Sequence, residues 1–342
     1  MARSLQVDAN RNDDDLGGII VEKTSASLID GYEILSEIGR GGVGVVYKAK
    51  DAVGAFVALK LLQDRRGYLT HRFKCEFQHL IDLDHHPRIA RAYQFGIHHD
   101  SFYFTSEYID GSDLCSYLRG RSLLEMIGLF LQVLDALDFI HRHGLVHLDI
   151  KSENILVNKK GEAKLLDFGI AMRPEDVDAL IGSIPYLAPE VVFGWKEKLD
   201  ARADLFSFGV LMYRCLTGFF PFARTAKKEK GALQKSMAHE VWRGPPSSIN
   251  QTVPVWLDTI VERLLNTDPA ERWYTSARAV MNALKTHEPE QFREERDDRN
   301  AYLIPKGKKH IGREEEQTKL FGLLDGLLQN SAKQPPMVMI EG

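Results

Sequence analysis

Apolar and polar positions alternate with period two over the first third of the chain, and a helical period replaces that alternation afterwards. The alternation predicts strands at Tyr32–Ile38, Val45–Lys50 and Phe56–Leu61, the last two joined across Asp51–Ala55. One helix interrupts it at Tyr68–Leu83, where Phe73, Phe77, Leu80 and Ile81 share a face. Two further strands are expected at Ala92–Gly96 and Phe102–Tyr108. Helical spacing then dominates, with helices at Leu123–His143 (stopped by Gly144), Ala203–Thr217, Val255–Leu265 and Ser276–Lys285. Strands first and helices second suit an α+β protein or two separate domains.

The ends read differently. Residues 1–30 are rich in Asp, Asn, Ser and Gly and are expected to form a flexible tail. Residues 288–309 are mostly charged where they begin and suit a solvated linker. At 342 residues the chain can hold one two-lobed enzyme or two ordinary domains, and 44% hydrophobic content is ample for a core. The net charge of −4 and the lack of a basic block argue against a nucleic-acid partner. The most apolar stretch, Ile127–Ile140, is broken by Gln132, Asp135 and Asp138, so no membrane anchor is expected. Cys75, Cys115 and Cys215 are far apart in sequence with no CxxC pair, and are expected to be reduced, small buried fillers in a cytoplasmic protein.

Four segments carry the chemistry. Gly39-Arg40-Gly41-Gly42-Val43-Gly44-Val45-Val46 fits G-x-G-x-x-G-x-V, whose glycines let backbone amides approach phosphates. The spacing also fits a dinucleotide loop, but such a loop opens a helix, and here the text continues as a strand. Lys60 ends the apolar strand Val57-Ala58-Leu59-Lys60 at the distance from the glycines needed to reach α and β phosphates, and Glu76 on the next helix is placed to pair with it. In His147-Leu148-Asp149-Ile150-Lys151-Ser152-Glu153-Asn154, Asp149 sits between apolar residues as a positioned carboxylate. Lys151 is placed to neutralise a transferring phosphate, and Asn154 to hold a metal through its amide oxygen. Asp167-Phe168-Gly169 follows a turn at Asn158–Gly161, with Asp167 as the expected main Mg²⁺ ligand.

In this order and spacing the segments resemble a eukaryotic-like Ser/Thr protein kinase of the bacterial type, from about Tyr32 to His287. The resemblance implies a kinase domain over 31–287, with an N-lobe at 31–106, a hinge at 107–110 and a C-lobe at 111–287. Further matches are Ala188-Pro189-Glu190, with Glu190 expected to pair with Arg272, and Asp204, expected to brace the catalytic loop. Glu107 and Ile109 resemble the hinge that bonds adenine, Asp113 the residue that meets the ribose, and Val46, Ala58 and Leu156 the walls of the adenine slot. The family implies ATP and Mg²⁺ as cofactors, with Mn²⁺ as a substitute. It implies Asp149 as the base toward the substrate hydroxyl, Lys151 on the transferring phosphoryl, and Lys60 with Gly39, Gly41 and Gly44 on ATP. Lys151 and Ser183, in the segment before Ile184-Pro185-Tyr186, point to Ser/Thr rather than Tyr substrates.

Three positions depart from the family pattern: Leu148 replaces an Arg, Ser152 a Pro, and Val43 an aromatic or Met. The loop from Ile170 to Gly182 has no Ser, Thr or Tyr. With Leu148 in the Arg position, this implies activity without phosphate on that loop. Ser106, just before the hinge, is smaller than the usual residue there and implies an open back pocket. At the far end, His310-Ile311-Gly312-Arg313-Glu314-Glu315-Glu316, the helix Leu320–Leu328 and the apolar run Met337–Ile340 resemble the start of a signal-transduction ATPase domain over 310–342. That resemblance implies control from a C-terminal ATPase and sensor. Two rival readings are a pseudokinase scaffold, against which the full set Lys60, Glu76, Asp149, Asn154 and Asp167 argues, and a small-molecule phosphotransferase, against which Ala188-Pro189-Glu190 and Arg272 argue.

Overall fold

The computed structural model describes residues 28–41, 44–63, 67–83, 86–168, 171, 173–174, 182–223, 241–287 and 337–338. Outside them lie Gly42, Val43, Gly169, most of the 170–182 loop, the expected linker, all but two residues of the ATPase-like segment and all but three of the tail.

The sheet of the small lobe starts earlier than the tail boundary suggests. Strand β1 (Leu28–Ile29) pairs antiparallel with β2 (Tyr32–Arg40). The turn is Asp30-Gly31, both at positive φ, the geometry a two-residue hairpin needs. Burial of Ile29 against Val45, Val57 and Tyr103 accounts for the added strand. The sheet continues through β3 (Gly44–Lys50), β4 (Phe56–Leu62), β5 (Ala92–His98) and β6 (Ser101–Glu107), in the spatial order β1-β2-β3-β4-β6-β5. Beyond β5, Met337–Val338 pairs antiparallel with Phe95 and Gly96. The apolar run expected to begin an ATPase sheet thus adds two residues to the edge of this one.

Period two gives the sheet two distinct faces. Val45, Tyr47, Ala49, Val57, Leu59, Leu61 and Tyr103 fill one. On the other, helix α1 (Gly67–Asp82) lays Leu69, Phe73 and Phe77 over Phe95 and Phe104. Val46, Ala58, Lys60 and Ser106 belong to this second face, because Val46 pairs with Lys60 and Ala58 with Ser106 across the ladder. All four are half-buried.

The chain leaves the sheet at Glu107 and enters the helical lobe through β7 (Gly111–Asp113) and the short helix α2 (Leu114–Leu118). Helix α3 (Leu123–Arg142) starts in a capping box between Ser122 and Glu125 and buries Ile127, Phe130, Leu134, Leu137 and Ile140. Helix α4 (Pro189–Phe193) and the almost wholly buried α5 (Arg202–Thr217) follow. Then come the two-residue strands β10 (Phe222–Ala223) and β11 (Val241–Trp242), and α6 (Pro246–Ile249), α7 (Val255–Leu264) and α8 (Ala277–His287). Between α3 and α4, β8 (Ile155–Asn158) and β9 (Ala163–Leu165) complete a three-stranded sheet with β7. Leu165 bonds back to Arg88 and Ala90, stitching the cleft-side hairpin to the start of the small lobe's β5. This is a two-lobed α+β fold. Among the described residues no helix is long and apolar enough to cross a membrane.

Candidate active site

Glycines on β2 and β3 roof the cleft. Gly44 is required by packing, since a Cβ there would lie 2.2 Å from the Leu61 carbonyl oxygen. Around Gly41 a Cβ would meet nothing within 4 Å, while its amide donates to the Gly44 carbonyl at 2.9 Å and closes the turn between the two strands. Gly39 is nearly as open, with only Val46 at 3.9 Å.

Below the glycines Lys60 bonds both oxygens of Glu76, at 2.6 and 2.7 Å, and lies 3.3 Å from Asp167 Oδ1. Glu76 is 2% exposed. Burial pushes its carboxyl up to about 7, against the pull of the Lys60 charge, and the Asp167 charge adds to the rise. Lys60 is held above its ordinary range: burial alone would lower it, but the Glu76 and Asp167 charges outweigh that cost. The three groups therefore join α1, β4 and the segment after β9 into one charged chain.

The loop before β8 gathers the second cluster. Asp204, at the start of α5, is fully buried and accepts three bonds of 2.8 Å, from His147 N, Leu148 N and His141 Nε2. Burial alone would raise its carboxyl, but His141 and His147 hold it below the ordinary carboxylate range. These bonds hold Leu148 at φ +64°, a left-handed conformation that leucine rarely adopts. The Leu148 side chain is buried in the main core, in the position where the family pattern has an arginine. Asp149 follows. Its Oδ2 accepts from Lys151 Nζ at 2.6 Å and Asn154 Nδ2 at 2.8 Å. Its Oδ1 is buried and has no hydrogen-bond partner among the described residues. Lys151 also donates to Ser183 Oγ at 2.8 Å, so Ser183 joins Asp149 through the lysine.

Asn154 gives its amide nitrogen to the Asp149 carbonyl and carboxylate, which leaves its oxygen as the atom for a cation. Asp167, at φ +60°, presents a carboxylate that is 44% exposed. One carboxylate and one amide oxygen form a hard donor set that suits Mg²⁺, with phosphate oxygens and water as the remaining ligands. Among the described residues no group of three or more His, Cys, Asp or Glu offers a complete protein cage. Phe168 beside Asp167 is buried against His147, ring centroids 4.9 Å apart.

At the hinge, Glu107 N donates to the Arg91 carbonyl and its carboxylate pairs with Lys164 at 2.9 Å. Val46, Ala58 and Leu156 are all half-buried, as slot walls would be, while Ile109 is buried. Asp113 caps α2 by accepting from Ser116 N at 3.2 Å and also accepts from the Ser152 hydroxyl. Glu190 and Arg272 form a wholly buried pair at 2.7 and 3.2 Å, and Arg272 also bonds the Asn266 and Arg202 carbonyls. The structure also shows functional neighbours that sequence reasoning passed over. His141 lies on the third bond to Asp204, and Ser152 accepts from Cys115 N at 2.8 Å while donating to Asp113. A histidine one turn before a glycine helix stop carries no signal of its own in sequence.

A protein kinase domain model matches residues 32–285. Serine/threonine-protein kinase Pkn1 of Myxococcus xanthus is 33% identical over 279 residues, covering 77% of this chain and 39% of its own length. Serine/threonine-protein kinase PknB of Mycobacterium leprae is 32% identical, covering 77% and 44%, and PrkC of Bacillus subtilis 28% identical, covering 85% and 46%. The chain thus spans less than half the length of the curated relatives it matches. The family uses ATP and a divalent metal ion, which agrees with the two clusters facing one cleft. This chain belongs to the protein kinase family, among its serine/threonine kinases.

Proposed function

We propose that the chain transfers the γ-phosphoryl group of Mg-ATP to serine or threonine hydroxyls of proteins, from a kinase domain at 31–287. The observation that carries this is the carboxylate of Asp149: one oxygen is held by Lys151 and Asn154, and the other is buried and unpartnered among the described residues. A substrate hydroxyl bonding that oxygen would satisfy it, and would sit beside the Lys151 ammonium, which then faces charge developing on the phosphoryl group. Mg²⁺, or Mn²⁺ in its place, would be held by Asp167 and Asn154 and would supply charge neutralisation on the phosphates. Lys60, fixed by Glu76, and the open glycine backbone at Gly39 and Gly41 would orient them. Val46, Ala58 and Leu156 would flank the adenine, with the Glu107 carbonyl and the Ile109 amide on its edge and Asp113 at the ribose.

The reading extends to regulation. The backbone N–H groups of His147 and Leu148 hang from Asp204, and Leu148 fills core space. This supports a catalytic loop held from beneath, in need of no phosphate on the activation loop. Control would then come from beyond the kinase domain, with a C-terminal ATPase and sensor as the source and a cytoplasmic setting. The test is Asp149→Asn in purified protein. Nucleotide binding should persist and phosphoryl transfer fall by about two to four orders of magnitude, the usual worth of a positioned base. Near-wild-type turnover would refute the assignment.

A further inference from the structure

Cys115 and Cys215 are one hundred residues apart in sequence, yet their sulfur atoms lie 2.8 Å apart. Cys115 is on α2 and Cys215 near the end of α5, and both are free thiols. A disulfide bond is about 2.05 Å long, so bonding needs an approach of only about 0.8 Å. A cavity of about 420 Å³ lies against both thiols, lined also by Leu118, Met126, Arg214 and Asn250. It is many times the volume of a water molecule and admits a small hydroperoxide.

The two thiols are not equivalent. Cys115 is drawn below the ordinary thiol range, first by its bond with Cys215, then by Ser152 and the Arg214 charge, against the cost of burial. Burial, with Cys115 beside it, pushes the Cys215 thiol well up. A thiol held below its ordinary pKa, with a guanidinium nearby, marks the attacking partner. The third cysteine, Cys75, lies on α1 beside His71 and is raised by burial.

We propose that Cys115 and Cys215 are a reversible redox pair that hydroperoxides oxidise to a disulfide, and that the bond weakens nucleotide binding. The Cys115 thiolate attacks one oxygen of hydrogen peroxide. The O–O bond breaks, the departing hydroxide takes a proton to leave as water, and Cys115 becomes a sulfenic acid. The Cys215 sulfur, giving up its proton, attacks the Cys115 sulfur. The S–S bond forms and the S–O bond breaks, releasing a second water. Two thiols and one peroxide thus give one disulfide and two waters, and an external dithiol reverses the change.

The coupling runs through hydrogen bonds of the site. Cys115 N donates to Ser152 Oγ, and Ser152 donates to Asp113, the N-cap of the same helix α2. Drawing Cys115 toward α5 pulls on Ser152, which adjoins Lys151, and on Asp113. This half rests on the reading of Asp113 at the ribose edge; the bond itself does not.

The experiment treats reduced, desalted protein with hydrogen peroxide, alkylates remaining thiols, digests without reductant and maps peptides by mass spectrometry. The expected product is one linked peptide pair joining Cys115 to Cys215, lighter by two hydrogens and lost on adding dithiothreitol. In Cys215→Ser, a sulfenic acid at Cys115 should be trapped by dimedone instead. Isothermal titration with Mg-ADP should show several-fold weaker binding in oxidised wild type, recovered on reduction, and no change in treated Cys215→Ser. Both cysteines recovered alkylated, or linked only to Cys75, would overturn the pair. Linked protein with unaltered affinity would overturn the coupling. Because the peptide map needs no nucleotide, a reduced protein that bound none would count against the kinase reading alone.

Discussion

Asp204→Asn isolates the device that holds the catalytic loop. The carboxylate is fully buried and accepts from Leu148 N on one oxygen, and from His147 N and His141 on the other. An amide keeps only one acceptor oxygen. In its better orientation the new NH₂ faces Leu148 N, so two buried donors oppose each other where one bond stood, at about 1–3 kcal/mol or more. The two remaining bonds change from charge-assisted to neutral, weakening by about 1 kcal/mol each. Relief from burying a charge offsets part of the sum, which leaves a net loss of about 3 kcal/mol. That is a large fraction of the about 5–15 kcal/mol of a typical domain. Leu148 would also relax from φ +64°, displacing Asp149. A misplacement of about 1 Å costs on the order of a hundredfold in rate. Urea unfolding followed by tryptophan fluorescence would measure the first effect and phosphoryl transfer the second. The folded Asp204 lies below its unfolded value of 3.8, so its contribution is present above that value and is lost as pH falls through the lower folded one. The difference between wild type and variant should therefore shrink in acid. A loss under about 1 kcal/mol together with wild-type turnover would refute this reasoning.

Other predictions concern the cleft. With burial pushing the Glu76 carboxyl up to about 7, kcat/KM for ATP should rise with pH through about 7, and Glu76→Gln should be low throughout with no such limb. The sign for stability is opposite: with a folded value raised above the unfolded 4.5, the Glu76 contribution is full below 4.5 and lost as pH rises through about 7. Ser106→Met should weaken ATP-competitive inhibitors carrying bulky aromatic groups, since Ser106 stands between Ala58 and Ala92 on the cleft face; equal potency in both proteins would reject an open pocket. Ser183→Glu should lose transfer in a radiolabelled-ATP assay, because a carboxylate would capture Lys151 from Asp149; activation would show that Ser183 is misassigned.

The order of strands and helices was legible because each carries a sustained period, and the boundaries at β3, α3 and α5 fall within a residue or two of expectation. The hairpin Ile29-Asp30-Gly31-Tyr32 was also written in the sequence, since Asp-Gly is a strong turn signal. A two-residue strand beside a polar tail offers too little alternation to reveal it. The motif residues were legible as types at spacings, and the geometry then joins Lys60 to Glu76 and Asp167, and Lys151 to Asp149 and Ser183. What no local pattern announced were contacts between distant elements that no motif names: His141 on Asp204, Ser152 between Cys115 and Asp113, and Cys115 on Cys215. Those pairings follow from how α2, α3 and α5 pack, which sequence periodicity leaves open.

The central claim is a Ser/Thr kinase whose catalytic loop is set by Asp204 and Leu148 without a phosphate. Its most direct measurement is transfer from radiolabelled ATP to a generic protein acceptor by protein made with a co-expressed phosphatase. Mass spectrometry should first show residues 167–190 unmodified, and Asp149→Asn should run alongside as the blank. The account predicts immediate transfer by the unmodified protein and none above background from the variant. Transfer that is absent at first and returns only when a phosphate appears within 167–190 would contradict it.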